Sequence, residues 1–216
     1  MNDSYILIKN FLCNKTISLI LNKCDDKKES CSKVGNRVTK EKKIRKDVFF
    51  SQSESIDIDP MIYNKIKQIV QKKFNIELNY RETYKIGTYY GDEKGFYIPH
   101  TDTQGGYQHR KISVVICLSK KDKYKGGIFK LVNLKKKAKF DIGDAIIFDS
   151  RHLHGVEPVT KGKRQVLISF MWDEQGEKVR QKNNPTISYS RYLPKIYNYD
   201  FLNNNLCKNR IYDYET

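Results

Sequence analysis

The sequence has little from which to build a membrane segment, a disulfide framework or a cysteine metal site. No apolar run approaches the roughly 20 residues that a membrane-spanning helix needs. The five cysteines (Cys13, Cys24, Cys31, Cys117 and Cys207) are odd in number, widely spread and without a CxxC pair. That pattern argues against both a disulfide framework and a cysteine zinc site, and reduced, cytoplasmic surroundings are the expectation. The opening MNDSYILIKNFLCNK lacks the basic segment and long apolar stretch of a secretory signal, so a soluble cytoplasmic chain with no membrane partner is expected. Internal repeats and low-complexity linkers are also missing. A length of 216 residues suits one domain with a sizeable core.

Acidic residues are in short supply: 25 Asp and Glu face 41 Lys and Arg, a formal charge of +16. An excess of this size favours an acidic partner, either nucleic acid or an acidic polypeptide. The lysines are scattered, however, in a chain rich in Lys, Asn, Ile and Tyr together. Biased residue usage is therefore the plainer reading. A hydrophobic fraction of 38% and 15 tyrosines argue against wholesale disorder.

Phe11 to Cys24 reads as a helix, with Ile17, Ile20, Leu21 and Cys24 at helical spacing. Asp25 to Lys46 is highly charged and reads as a mobile loop or a lid. Asp59 and Pro60 open a second helix, capped by the aspartate, whose stripe of Met61, Ile62, Ile66, Ile69, Val70 and Phe74 faces the core. From Arg81 the texture changes to short runs such as TYKIGTYY, GFYIPHTD, KISVVICLS, DAIIFDS and RQVLISFMW, separated by turn signals. Serial short strands predict a β-sandwich or barrel. The expected organisation is helical support with a charged loop over 1–80, a β catalytic core over 81–175, and an extension over 176–216 packed on the same domain. That tail carries no recognisable motif.

The four histidines, His100, His109, His152 and His154, all fall in the β region. Within FYIPHTDTQGG, His100 and Asp102 project from one face of a strand. A further histidine from a distant strand would complete the two-histidine, one-carboxylate triad of non-haem iron(II) oxygenases. An HxD triplet alone is weak evidence. The second half of the signal is HLHGVEPVTKGKRQVLISFMW, where His154 precedes Arg164. If the two strands pair as a hairpin centred near Lys161, Arg164 lies about four residues from the level of His154, on the order of 13 Å. A long arginine side chain plus a five-carbon dicarboxylic acid would bridge that gap, with one end of the acid on a metal held by His154 and the other in the guanidinium fork.

HTD at His100 to Asp102, followed by HGVEPVTKGKR at His154 to Arg164, resembles the iron(II)/2-oxoglutarate-dependent dioxygenase superfamily, and within it the prolyl 4-hydroxylase-like branch. RKISVVICLS, KGGIF and FDIGDAIIFDS fit the same branch between the two motifs. The resemblance covers about Tyr84 to Trp172. It implies a mainly β fold with N-terminal supporting helices around a double-stranded β-helix (jelly roll, cupin-like). It implies His100, Asp102 and His154 as ligands of Fe(II), with Arg164 on the distal carboxylate of 2-oxoglutarate. Dioxygen would be the oxidant and ascorbate an optional reductant. A tyrosine about ten residues before the first ligand lies against 2-oxoglutarate in the family. Tyr90 and Tyr89 both qualify on opposite strand faces, and Tyr90 is preferred. Prolyl 4-hydroxylases proper often carry lysine where Arg164 stands, which leaves the hydroxylated residue open.

His152 competes with His154 as distal ligand, but the G-x-x-P-V continuation and the spacing to Arg164 favour His154. His109 reads as a loop residue without a role, Arg110 and Lys135 to Lys137 as a solvated face, and Cys117 as buried and inert. Tyr97 is either a pocket residue or core packing. The resemblance implies hydroxylation of a peptidyl residue, proline first, in a polypeptide partner, with succinate and carbon dioxide as co-products. The alternative is a nucleic-acid-modifying oxygenase of the oxidative demethylase type, favoured by the charge. The second arginine typical of those enzymes is absent from Gln165 to Gln175. A binding module with a vestigial triad is a third reading, disfavoured because all the ligands and the arginine are present. Oligomeric state is not legible.

Overall fold

The computed structural model describes residues 5–34, 38–187, 189–191 and 214–215. Strands β1 (Tyr5–Ile8) and β2 (Ser30–Cys31) flank helix α1 (Asn14–Asn22). Strands β3 (Lys43–Ile44) and β4 (Lys46–Phe49) lead into helix α2 (Gln52–Ile58), a 3-10 turn at Asp59–Met61 and helix α3 (Tyr63–Phe74). Then come β5 (Tyr80–Glu82), β6 (Lys85–Tyr90), β7 (Phe96–His100), β8 (Ile112–Cys117), β9 (Tyr124–Gly126), β10 (Phe129–Leu131), β11 (Lys136–Ala138), β12 (Ala145–Asp149), β13 (His154–Val156) and β14 (Val159–Trp172). Helix α4 (Glu174–Asn183) precedes β15 (Tyr189–Arg191) and β16 (Tyr214–Glu215). Among the described residues, no helix is long and apolar enough to cross a membrane.

The strands form two antiparallel sheets. The larger runs β16-β1-β12-β8-β14-β6-β4-β2, with β5, β9 and β15 attached, and the smaller runs β11-β10-β13-β7-β3. The fold is a jelly roll. Its central strands read as continuous apolar runs because both of their faces are buried. In β14, Leu167 and Met171 pack against the helices, while Val166, Ile168 and Phe170 point between the sheets. Strand β8 splits the same way, with Ile112, Val114 and Ile116 toward the helices and Val115 and Cys117 toward the interior. The interior cluster stops short of the mouth of the sandwich, and the functional residues occupy that end.

The first eighty residues differ from the expected helical support, since β1 and β4 join the larger sheet beside β12 and β6, and β3 joins the smaller beside β7. The charged 25–46 stretch is not only a loop or lid. Arg45 is buried there, with Nε and Nη2 on the Asp47 carboxylate at 2.7 and 3.0 Å. Charge in this segment is consumed by internal pairing, which composition does not reveal. Asp59 does not cap a helix either. A short helix, α2, precedes it, capped by Ser51 and Glu54 in a reciprocal box that the sequence SQSE spells out. Cys13 is disulfide-bonded, whereas Cys24, Cys31 and Cys117 are free. A bond at Cys13 is one the spacing did not point to, although it falls short of a disulfide framework.

Asp59 instead anchors the helices to the larger sheet. Arg81 Nε and Nη2 donate to its two carboxylate oxygens at 2.5 and 2.6 Å, and the Tyr84 hydroxyl donates at 2.9 Å. Arg81 and Tyr84 are fully buried. Removing one partner of such a pair strands a charge. Asp59→Ala should lower unfolding free energy by about 3–5 kcal/mol in urea titration. An effect below about 1 kcal/mol would mean that the pair is not the anchor.

Candidate functional site

Strands β7 and β13 pair antiparallel with His154 directly opposite His100, so the two imidazoles leave adjacent strands side by side, ring centroids 4.2 Å apart. Asp102 lies just past the end of β7. Its backbone N–H donates to the Ser150 carbonyl at 3.0 Å, and its Oδ2 accepts from the Ser113 hydroxyl at 2.6 Å. It is therefore the bend held by β8 and the segment after β12, not strand alternation, that turns Asp102 toward the histidines. Oδ2 lies 3.3 Å from His154 Nε2 and Oδ1 3.6 Å from His100 Nε2. One donor atom from each residue falls within 4.8 Å of the others. The Nδ1–H groups of His100 and His154 donate to the carbonyls of Ile98 and His152, both at 2.9 Å, leaving each Nε2 facing inward as a ligand atom.

Burial lowers the His154 imidazole to about 4, against the opposing pull of Asp102, so its ligand nitrogen is unprotonated at neutral pH. Burial would raise the Asp102 carboxyl, but His154, His100 and Arg110 outweigh it and hold the group well below the usual carboxylate range. An ionised oxygen donor and two imidazole nitrogen donors on one side of a common point suit a divalent transition metal.

Arg164 faces this cluster from the opposite sheet. The expected β13–β14 hairpin does not form: β13 pairs with β7 and β10, and β14 with β6 and β8. The chain crosses between sheets at Glu157 and Pro158. Gly162, at φ +74°, sits within a long strand, where a Cβ would come 2.0 Å from the Lys123 carbonyl oxygen. The histidine and arginine thus meet across the sandwich, not along one face. Arg164 is 1% exposed, and its Nε and Nη1 have no hydrogen-bond partner in the protein. Its guanidinium lies 5.4 Å from the ring centroids of both Tyr89 and Phe140. A buried, orphaned guanidinium calls for an anion. A cavity of about 390 Å³ joins Arg164 to His100, Asp102 and His154.

The family model of the 2OG-Fe(II) oxygenase superfamily matches residues 85–172, which run from β6 to the end of β14 and contain all four residues. Over that stretch the chain is similar to this superfamily. It is 34% identical over 125 residues to a PKHD-type hydroxylase of Sphingopyxis alaskensis, covering 56% of each chain. It is 30% identical over 90 residues to a PKHD-type hydroxylase of Azoarcus sp., covering 38% of this chain and 40% of that one. The chain thus spans about half the length, or less, of these curated relatives. Among solved structures, a prolyl hydroxylase from Trichoplax adhaerens, in complex with a hypoxia inducible factor peptide fragment, superposes with a TM-score of 0.67 at 19% identity, covering 82% of this chain and 87% of that one. A Pseudomonas putida prolyl-4-hydroxylase gives 0.64 at 15% identity, covering 78% and 92%. At such identities the structural likeness speaks for the fold alone.

The metal and co-substrate of that superfamily fit the residues present. Three converging donors suit Fe(II), and an orphaned buried guanidinium across one cavity suits the far carboxylate of 2-oxoglutarate. The tyrosine preference is corrected. Tyr90 points out of the sandwich, where its hydroxyl donates to Glu29 at 2.9 Å, and burial together with Glu29 pushes it up to about 12. Tyr89 lines the cavity beside Arg164, its hydroxyl 3.4 Å from Arg45 Nη1. Strand alternation allows only one of the pair inside, and pairing with Arg164 places Tyr89 there.

Other expectations shift as well. Arg110 is not a solvated side chain: its Nε and Nη2 bind the Glu82 carboxylate at 2.5 and 2.9 Å, and its Nη1 donates to the Asp102 carbonyl at 3.1 Å. His109 is fully buried, edge-on to Trp172 at 4.8 Å and 3.6 Å from Glu82. Tyr97 lines the cavity and stacks on His100 at 3.5 Å. His152 lies outside the donor cluster, its Nδ1 2.9 Å from the Asn133 amide. Cys117 is buried beside β14, and burial raises its thiol. Gln104, Gly105 and Tyr107 border the mouth. Ser113, Glu82, Lys43 and Arg45 escape sequence reasoning; only the inward register of β8 could have pointed to Ser113. Arg164→Met should weaken 2-oxoglutarate binding at least about a hundredfold in calorimetric titration, the scale of losing a buried charged pair. Binding within a few-fold of wild type would remove Arg164 from the co-substrate site.

Proposed function

We propose that this chain is an Fe(II)/2-oxoglutarate-dependent dioxygenase that hydroxylates a peptidyl residue, proline first, with succinate and carbon dioxide as co-products. The observation that carries the reading is the convergence of His100, Asp102 and His154 opposite Arg164, whose buried Nε and Nη1 have no partner in the protein, in one cavity. His100, Asp102 and His154 would hold the iron, and Arg164 the far carboxylate of 2-oxoglutarate, with Tyr89 against its chain. Bound iron and co-substrate supply the oxygen activation and C–H oxidation. The residues of this chain do the rest. The carbonyls of Ile98 and His152 set the imidazole tautomers, Ser113 and Arg110 fix Asp102, and the apolar wall of Val115, Phe129, Val166 and Ile168 keeps the inner cavity dry.

The prolyl hydroxylase neighbours, one of them in complex with a peptide fragment, support a polypeptide substrate. Wild-type protein given Fe(II) and 2-oxoglutarate without oxygen should develop a visible charge-transfer band, and His154→Ala should not. Identical spectra from the two would sink the metal assignment. In air, succinate release should rise with proline-rich peptides and not with single-stranded DNA. Stimulation by DNA alone would overturn the peptidyl reading.

A further inference from the structure

Apart from Arg164, five cationic residues line the cavity: Lys33, Lys43, Arg45, Lys85 and Arg110. Asp102 is the one carboxylate among the lining residues, and it belongs to the donor cluster. Two of the five are neutralised from behind, Arg45 by Asp47 and Arg110 by Glu82. Lys33 is exposed to solvent. Lys85 and Lys43 remain, and among the described residues neither forms an ion pair with a carboxylate. Lys85 lies between the rings of Phe49 and Phe170, at 5.6 and 5.2 Å.

Lys43 is the sharper case. It is only 5% exposed, and among the described residues its amine contacts the Lys33 carbonyl at 2.5 Å and the face of Tyr97 at 4.5 Å, with no carboxylate in ion-pair range. Tyr97 in turn stacks on His100. A buried ammonium loses hydration that a carbonyl and a ring face replace only in part. Burial, with Arg45 nearby, lowers it to about 6. The chain therefore keeps a buried amine without a counter-charge one aromatic ring away from the metal ligand, on the wall of the cavity, where an incoming anion would favour its charged form.

We propose that Lys43 is the anion anchor of the substrate subsite, and that the chain selects polypeptides with an acidic side chain two positions from the oxidised residue. This rests on the peptidyl hydroxylase reading and names its substrate class. In an extended peptide, side chains two apart share a face and lie about 7 Å from each other. With one such side chain at the donor cluster, the next on that face passes Tyr97 and reaches Lys43. Its carboxylate supplies the counter-charge that burial withholds, as a charge-assisted hydrogen bond. A nucleic-acid backbone is the poorer match, because phosphates track open grooves of exposed cations, whereas Lys43 is recessed and within reach of a side chain.

The test uses holoenzyme with Fe(II) and 2-oxoglutarate and proline-containing peptides bearing Glu or Gln two residues before or after the proline. Anaerobic binding is followed by fluorescence anisotropy, and oxygen gain by mass spectrometry. In at least one register, the Glu peptide should bind about tenfold more tightly than its Gln twin, the scale of a partly buried charge pair. Lys43→Gln should erase that ratio and Lys43→Arg should keep it. Lys43→Glu should reverse the preference toward a lysine peptide, an outcome that lost folding cannot mimic. Equal affinity of wild type for both twins in both registers, or a preference surviving in Lys43→Gln, overturns the assignment. So does oligothymidylate binding that exceeds peptide binding and weakens in Lys43→Gln, which moves the anion subsite to nucleic acid. Failure of the peptidyl reading is separately visible, as a wild-type charge-transfer band with no peptide of either charge gaining oxygen.

Discussion

His154 stands opposite His100 in the β7–β13 ladder, and the chemistry of the cavity depends on that register. A slip of one residue would send one imidazole to the far face of the sheet and leave the other without a partner. The register is held from several directions. Strand β10 pairs with β13 on its other edge, aligning Leu131 with His154. Gly155 allows the approach of β7, since a Cβ there would sit 3.0 Å from the Tyr97 carbonyl oxygen. Phe129 and Phe148 pack on the His154 ring at 5.6 and 4.7 Å. With the imidazoles fixed, the bend after β7 needs only the Ser113 hydroxyl and the Ser150 carbonyl to bring in the carboxylate.

The second organising fact is the uneven treatment of buried charge. Arg81, Arg45, Arg110 and Arg180 are all buried, and each is matched by a carboxylate within hydrogen-bonding distance: Asp59, Asp47, Glu82 and Glu177. Two of these pairs, Arg81–Asp59 and Arg110–Glu82, join segments distant in the chain, and the other two are local. Against that background Arg164 and Lys43 stand out, among the described residues, as basic groups buried without an anion of their own. Both line the one cavity that also contains the donor cluster. A chain that compensates buried charge so consistently elsewhere leaves it uncompensated where ligands enter.

Much of this was legible in the sequence, and the gaps have definite causes. His100 and His154 keep their places because strands carry side chains at fixed intervals, whereas a bend brings in Asp102 and the facing sheet brings in Arg164. The serial apolar runs marked out the sandwich for the same reason. The partnering of strands was not legible. Nothing in HGVEPVTKGKR says whether Gly162 turns the chain or bulges within a longer strand, so the hairpin reading failed while the residues it linked remained on facing walls. Tyr89 and Tyr90 have the same composition and differ only in which face the ladder turns inward. The buried roles of Arg45, Arg110 and His109 depend on Asp47, Glu82 and Trp172. Two of those partners are distant in the chain, and a count of charged residues cannot distinguish a paired arginine from a solvated one.

Strand β6 passes over the Arg45 side chain at Gly87, where an added methyl would lie 2.8 Å from Arg45 Cδ and 3.2 Å from Ile168 Cδ1. The absence of a side chain at 87 is thus the space that the arginine's stem occupies on its way to Asp47 and Tyr89. The two positions are tied in inheritance. A larger residue at 87 can be accepted only in a lineage that has already shortened residue 45, and shortening residue 45 first leaves Asp47 buried without its counter-charge. Neither order of steps is free, so descendants of this chain should keep the glycine and the arginine together or lose both.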